Sequence, residues 1–267
     1  MAAGPAWKGK AGLTSSNAKL RVPRTNMETA QTTVLSPGGI TRRQDFAAAL
    51  SPPKRLLMLL INYWPLIHLI SIGLVVALPW TWWRWRILAG LALLYLLPPL
   101  AARLLRRISP IREGRISMGS RPYFIWWMMF NLQVVFCRLP MLEELLRMVP
   151  GLYSFWLRLW GAHIGRLTYW SAGLRILDRP FLRIGDDVVF GAAVRLNPHV
   201  LAKNDQGQLE LILATVAVGD RAIVGGYSLL TAGTEIAADE CTRALLISPP
   251  FGRWQQGARI NKSERSP

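Results

Sequence analysis

From residue 164 onward one spacing governs the chain: an aliphatic or aromatic residue returns every six positions. The series is Ile164, Trp170 and Ile176, then Ile184, Phe190 and Leu196, then Ile212, Val218, Val224, Leu230 and Ile236. Glycine follows directly at Gly165, Gly185, Gly191, Gly219 and Gly225. A small or β-branched residue stands four places on at Thr168, Val188, Val194, Val216, Ala222, Ser228 and Thr234. A period of six excludes an amphipathic helix, because a turn of 3.6 residues does not divide it, and excludes a plain alternating strand over this length. It predicts short strands joined by tight turns, three sides to a coil, each coil stacking its inward residue on the coil beneath. Eleven register positions give three to four such coils, close to the minimum of about three for a stable stack.

The register breaks twice. Between Ile176 and Ile184 it slips by two residues, and Trp170 is bulky for the inside of a narrow prism. Leu196 and Ile212 stand sixteen positions apart, four more than two hexapeptides, with the polar run KNDQGQLE between them. A polar loop is therefore expected to project directly after His199.

The residues before the repeat are of another kind. The whole chain is 51% hydrophobic, holds 12 Trp and carries a formal net charge of +17. Residues 164–240 contain 7 Lys and Arg against 9 Asp and Glu, so the basic excess lies outside them. Basic residues gathered around apolar segments are the pattern of membrane flanks attracted to anionic lipid headgroups. A nucleic-acid surface would be built on the folded repeat itself, so no nucleic-acid partner is expected. Cys137 and Cys241 form no CxxC pair and suit a reducing cytoplasm as structural thiols.

Residues 56–78, LLMLLINYWPLIHLISIGLVVAL, run 23 positions without a formal charge, enough to cross a bilayer. His68 and Asn62 within them read as helix-packing groups. Residues 87–102, ILAGLALLYLLPPLAA, number 16 and need flanking arginines to snorkel. Between the two, PWTWWRWR packs four tryptophans and two arginines into eight residues, the composition of an interfacial turn in a helical hairpin. Nine Lys and Arg precede residue 56 and six fall within 103–121, against two in the turn. The positive-inside rule then places both termini, and everything after the hairpin, in the cytoplasm.

A third apolar stretch, 123–136 (YFIWWMMFNLQVVF), is short for a span and is expected in the interface. Leu142, Leu145 and Leu146, then Leu152, Phe155, Trp156 and Leu159, carry helical spacing on either side of Pro150 and Gly151. Two short amphipathic helices are expected there, with Arg147 and Arg158 toward lipid phosphates. Residues 1–53 are rich in Ala, Ser, Thr, Gly and basic residues, lack an apolar period and read as disordered. The first acidic residue is Glu28, which keeps organelle import as an alternative, and no secretory signal is evident.

The stretch VAVGDRAIVGGYSLLTAGTEIAADE, 216–240, resembles the recurring segment of the left-handed β-helix acyltransferases with hexapeptide repeats. There an aliphatic-Gly-Asp turn precedes further hexapeptides and a late glycine turn. The order of membrane hairpin, aromatic interfacial helix and LRLWGAHIGR (157–166) is similar to the membrane-associated C-terminal modules of poly-lysine-type peptide synthetases. The repeat resemblance covers about residues 161–247, and the membrane part is matched by layout only. It implies an all-β left-handed parallel β-helix of hexapeptide repeats, preceded by an α-helical membrane hairpin and interfacial helices. It also implies transfer of an acyl group from acyl-CoA or an acyl carrier protein to a hydroxyl or amine, with no permanently bound cofactor. Many such enzymes are homotrimers with the donor site between subunits. By the same resemblance Gly225, Gly226 and Ser228 are donor-binding positions.

In the resembled enzymes a histidine ahead of an out-looped segment serves as general base, the place that His199 holds here. Imidazole suits the task because its pKa lies near neutrality. Asn197 would orient the base or the acceptor, Asp205 or Glu210 would fix the imidazole tautomer, and a backbone N–H of a neighbouring coil would meet the oxyanion. His163 reads as a boundary residue between helix and prism. A zinc hydratase on this fold would need three converging histidines, and His68, His163 and His199 are dispersed, so no metal site is expected. A nucleotidyltransferase would need a nucleotide-binding unit with a Gly-rich loop, and SPGG at 36–39 is a turn.

The expected division is a disordered basic region at 1–53, a transmembrane hairpin at 54–108, interfacial helices at 109–160, the β-helix at 161–248 and a tail at 249–267. The expected partners are membrane lipids and the acyl donor, at the inner or cytoplasmic membrane with a multi-pass anchor. The alternative is a non-catalytic membrane scaffold that uses the β-helix as a docking module.

Overall fold

The computed structural model describes residues 51–260, all within the compact unit Arg43–Pro267. The disorder expected of 1–53 falls almost wholly outside the described residues. Helices α1 (Pro52–Asn62) and α2 (Trp64–Ala77) follow one another with a break at Tyr63, and α3 (Trp83–Tyr95) and α4 (Leu97–Ile108) with a break at Leu96. Each break comes just before proline, Pro65 in one case and Pro98–Pro99 in the other. Proline lacks the N–H that would continue the hydrogen-bond ladder. Both pairs, Pro52–Ala77 and Trp83–Ile108, have 26 residues and are long and apolar enough to cross a membrane. The second exceeds its 16 uncharged residues because Arg84, Arg86, Arg103, Arg106 and Arg107 are taken into the helix ends. Trp80, Trp82, Trp83 and Trp85 are exposed around the turn.

The repeat forms a three-sided parallel β-helix. Successive strands visit three sheets in rotation. The first coil is β2 (His163–Ile164), β3 (Tyr169–Trp170) and β4 (Arg175–Ile176), and the second is β5 (Leu182–Ile184), β6 (Val189–Phe190) and β7 (Arg195–Asn197). The third is β10 (Val216–Val218), β11 (Ile223–Val224) and β12 (Leu229–Thr231), and the fourth has β13 (Glu235–Ile236), a bridge at Cys241 and β14 (Ile247–Ser248). Each strand pairs in parallel with its counterpart one coil on, as in Ile164 with Ile184 and Ile184 with Val218. The six-residue series fills the axis: Ile184, Phe190, Leu196, Val224 and Leu230 are fully enclosed. The second series does the same through Val188, Val194, Val216 and Ala222.

Trp170 fits because it lies in the first coil, at the edge of its sheet. Its ring stacks on Phe190 at 5.0 Å, and its indole N–H donates to Ser154 Oγ at 2.8 Å. At the other end β15 (Arg253–Gln255) continues the first sheet, and β16 (Ala258–Ile260) folds back on it antiparallel, covering the edge. The segment expected as a tail from residue 249 is therefore in part a closing hairpin.

Ile212 is the other correction. The interruption after Leu196 is an antiparallel hairpin, β8 (His199–Lys203) and β9 (Leu209–Leu213), and Ile212 belongs to it rather than to the prism. Strand β1 (Gly114–Ser117) pairs with β9 and makes a third strand. The run KNDQGQLE covers its turn and the strand ends on either side.

Between hairpin and prism lie α5 (Arg121–Arg138), α6 (Met141–Arg147) and α7 (Leu152–Leu159). The two amphipathic helices break at Pro150 and Gly151 as expected, with Gly151 in the left-handed region at φ 79°. The 123–136 stretch expected in the interface lies in α5, which packs against the rest of the protein along one side. Tyr123, Trp126, Met129, Gln133 and Phe136 of α5 are buried, and α6 turns off α5 by 80°. Of the two arginines expected toward lipid phosphates, Arg147 is buried and Arg158 is exposed. Arg147 bonds Glu143 and Glu144, and Arg158 donates to the carbonyls of Ile164 and Gly165.

Candidate active site

The two-residue slip between the first and second coils is a turn, and this turn is where the helices grip the prism. Asp178 adopts a left-handed backbone, φ 48°, which aspartate tolerates better than most residues. Its side chain is only 1% exposed. From α5, Trp126 Nε1 donates to Asp178 Oδ1 at 2.8 Å. Gln133 Oε1, also from α5, accepts from Arg179 N at 2.8 Å and Arg179 Nη1 at 3.1 Å. Arg179 Nε donates to Glu143 Oε1 of α6 at 2.7 Å. From α4, Arg106 Nη1 donates to Pro180 O at 2.8 Å, with the guanidinium 4.8 Å from the Phe181 ring centre.

Glu143 is shared. It also accepts from Arg147 Nη2 and from the Tyr153 hydroxyl, both at 2.9 Å, and Arg147 reaches Leu174 O at 3.0 Å. Burial by itself would push the Arg179 pKa down, but the adjoining Glu143 carboxylate outweighs it and raises the value, so the guanidinium stays charged. Burial, with Glu143 alongside, pushes the Tyr153 phenol up and keeps it a donor. Glu143 thus answers two buried guanidinium groups and the Tyr153 hydroxyl at once.

His199 opens β8 immediately after Asn197 and Pro198. Its Nδ1 bonds Asp178 Oδ2. Trp126 and Phe130 stand edge-on to the imidazole, with centroids at 4.9 Å and 5.5 Å. The side chain keeps 16% of its surface. Burial lowers the His199 pKa, but attraction and hydrogen bonding from Asp178 together outweigh it, and the net shift is upward. In the neutral ring the proton belongs on Nδ1, facing the carboxylate, which leaves the Nε2 lone pair to take a proton. A buried carboxylate on one ring nitrogen fixes the orientation of the imidazole and leaves the other nitrogen able to accept a proton.

The other residues anticipated from the sequence fare differently. Asn197 ends β7, two residues from His199, half-buried and in register with Thr231. Neither Asp205 nor Glu210 reaches the imidazole: Asp205 is exposed at the hairpin turn, and Glu210 pairs with Arg115. Asp178 takes their place, and its signal was the register slip that carries it. Ser228 is fully buried, donates to Gly225 O at 2.7 Å and accepts from Leu246 N at 3.1 Å, so it is closed to a donor within this chain. Gly225 is a stacking residue, since a Cβ there would lie 2.4 Å from Arg243 and Ala244 backbone atoms. At Gly226 a Cβ would come within 3.2 Å of Ala192 O. His163 is exposed on β2, and His68 lies in α2, stacked on Trp64 at 5.5 Å. Among the described residues no group of three or more His, Cys, Asp or Glu is placed to hold a metal.

No family model and no curated protein matches the chain. Among solved structures it is similar to a hexapeptide-repeat-containing acetyltransferase from Vibrio cholerae, at 12% identity and a TM-score of 0.27, covering 46% of this chain and 88% of that one. It is also similar to the acetyltransferase from Vibrio cholerae O1 biovar eltor complexed with acetyl coenzyme A, at 12% identity and a TM-score of 0.32 over 49% and 88% of the two chains. At that level the likeness assigns no residue a role, and the coil arrangement rests on the strand pairings described above.

Proposed function

We propose that the protein is a membrane-anchored acyltransferase, its prism a left-handed β-helix and His199 its general base. The observation that carries the reading is the buried Asp178–His199 pair at the point where a hairpin leaves the coils. Acyl-CoA or an acyl carrier protein would supply the thioester, and a hydroxyl or amine would accept. His199 Nε2 takes the proton from the acceptor as its oxygen or nitrogen bonds to the thioester carbonyl carbon. When the tetrahedral intermediate collapses, the C–S bond breaks, and the imidazolium returns that proton to the departing thiolate. Asp178 holds the ring and stabilises the imidazolium formed between the two steps. Gly225 and Gly226 would contribute to a donor surface through their backbone alone, Asn197 would orient the acceptor, and a homotrimer would complete the groove.

The two helices long enough to cross a bilayer support a membrane anchor, and the basic residues on either side of the hairpin support placement in the inner or cytoplasmic membrane with the prism on the cytoplasmic side. Thiol release from acetyl-CoA by the full chain in lipid nanodiscs, with membrane lipid extract as acceptor, tests the reading. His199→Ala is expected to lower turnover by about 10²- to 10⁴-fold, the usual contribution of a general base. Full turnover in that variant overturns the base assignment. A protein that shows no saturable thermal shift with acetyl-CoA is instead a scaffold.

A further inference from the structure

A groove of about 540 Å³ lies between the membrane-suited helices, within the size range of small-molecule sites. Leu60 and Trp64 of the first apolar helix, Leu104 and Ile108 of the second, and Met128 and Leu132 of α5 are among its walls. Leu60, Leu104 and Ile108 are 58%, 58% and 70% exposed, so the groove opens on the outer surface of these helices. In the membrane placement proposed above that side is hydrocarbon. An occupant therefore enters from the bilayer, whereas a coenzyme A thioester arrives from water.

Position separates this groove from an incidental gap. Met128 and Leu132 on the groove side of α5 are interleaved with Trp126 and Phe130, whose rings touch His199. Four residues make about one helical turn, so groove and imidazole lie at the same height on α5, separated by about one helix diameter of 10–12 Å. Trp127 continues the contact, stacking with Phe130 at 6.1 Å and donating to Asn62 Oδ1 at 3.0 Å, beside Leu60 and Ile61.

We infer that the groove holds the hydrocarbon tail of the acceptor, which is a lipid. Its headgroup crosses α5 to present a hydroxyl or amine to His199. The acceptor group is then carried on a headgroup about 10 Å from the tail, on the order of one helix width, as on a lipid-linked sugar. This rests on the acyltransfer reading for the reaction, but the tail site is testable without it.

The probe is a phosphatidylethanolamine with a diazirine in one acyl chain, in phosphatidylcholine nanodiscs holding the full chain. Crosslinks are expected to concentrate on Met128, Leu132 and Leu104, and to fall about tenfold in Ala101→Trp, which fills the groove from its α4 wall, the change for ~1.4 kcal/mol of lost contact. Labelling spread evenly over Leu66, Ile70 and Leu74, or unchanged in Ala101→Trp, overturns the tail site. In the lipid-extract assay Ala101→Trp should raise the apparent KM for lipid about tenfold and leave the KM for acetyl-CoA unaltered. An unaltered lipid KM overturns the acceptor assignment. If no thioester turns over while the groove labels selectively, the acyltransfer reading fails and the lipid site stands.

Discussion

Asp178 and His199 are 21 residues apart in the chain, and the Asp178 carboxylate holds the imidazole through Nδ1. One belongs to the turn between the first two coils and the other to the hairpin after the second. Trp126 of α5 donates to the remaining oxygen of the same carboxylate, so a helix outside the prism completes a pair that the prism begins.

The His199 pKa lies above 6.5 because Asp178 outweighs the effect of burial. A base must be neutral, so kcat/KM should fall on the acid side of a value above 6.5. Asp178→Asn should move that limb to lower pH, since burial then acts unopposed. For stability the sign is set by the raised folded-state value. The pair's contribution is fully present below 6.5 and is lost as pH rises through the folded-state pKa. The Tm difference between wild type and Asp178→Asn should therefore be larger at about pH 5 than at about pH 9.

Trp126→Phe keeps the ring against His199 and deletes the N–H that Asp178 accepts. Losing one partner of a buried charged group costs about 1–3 kcal/mol. Turnover should fall about tenfold or more, with the acid limb of the pH profile displaced and the KM for acetyl-CoA held. A KM change without displacement of the pH limb would assign Trp126 to substrate contact instead.

Glu143→Ala leaves Arg147 and Arg179 buried without their common carboxylate. Breaking a buried pair in this way costs about 3–5 kcal/mol. Thermal unfolding of the full chain in detergent should show a large fall in Tm. Arg221→Ala, which removes an exposed pair with Asp239, should leave Tm where it was.

Gly225→Ala distinguishes coil stacking from donor contact. The added Cβ would lie 2.4 Å from the backbone of Arg243 and Ala244, and backbone cannot move aside as a side-chain tip can. The expected outcome is a lower Tm in the absence of acetyl-CoA. An unchanged Tm with a raised KM for acetyl-CoA would make Gly225 a donor contact.

Much of the prism was legible along the chain, and the reason is physical. Each coil contacts only the coils above and below it, so Ile184, Phe190 and Leu196 reveal their inward direction by spacing alone. The two apolar helices and the break at Pro150 and Gly151 are equally local, since length, composition and backbone conformation suffice to set them. His199 was legible as a candidate because it stands at an interruption of the repeat.

What tertiary structure decided was the partner of each group that left the repeat. Ile212 keeps six-residue spacing with Val218, yet pairs in a hairpin with β8 and β1, because periodicity does not distinguish one sheet from another. Arg147, an exposed lipid contact by helical spacing, is drawn inward by Glu143 and Leu174 O. The carboxylate for His199 came from Asp178, on the far side of a complete coil, and not from Asp205 or Glu210 nearby in sequence. Inward residues of a repeat are specified by neighbours at a fixed interval, whereas an ion pair or catalytic dyad is specified by three-dimensional closure. The chain alone determined that a prism would form beside membrane-suited helices. Only the packing of α4, α5 and α6 on the turn at Asp178 decided where its carboxylate would be held.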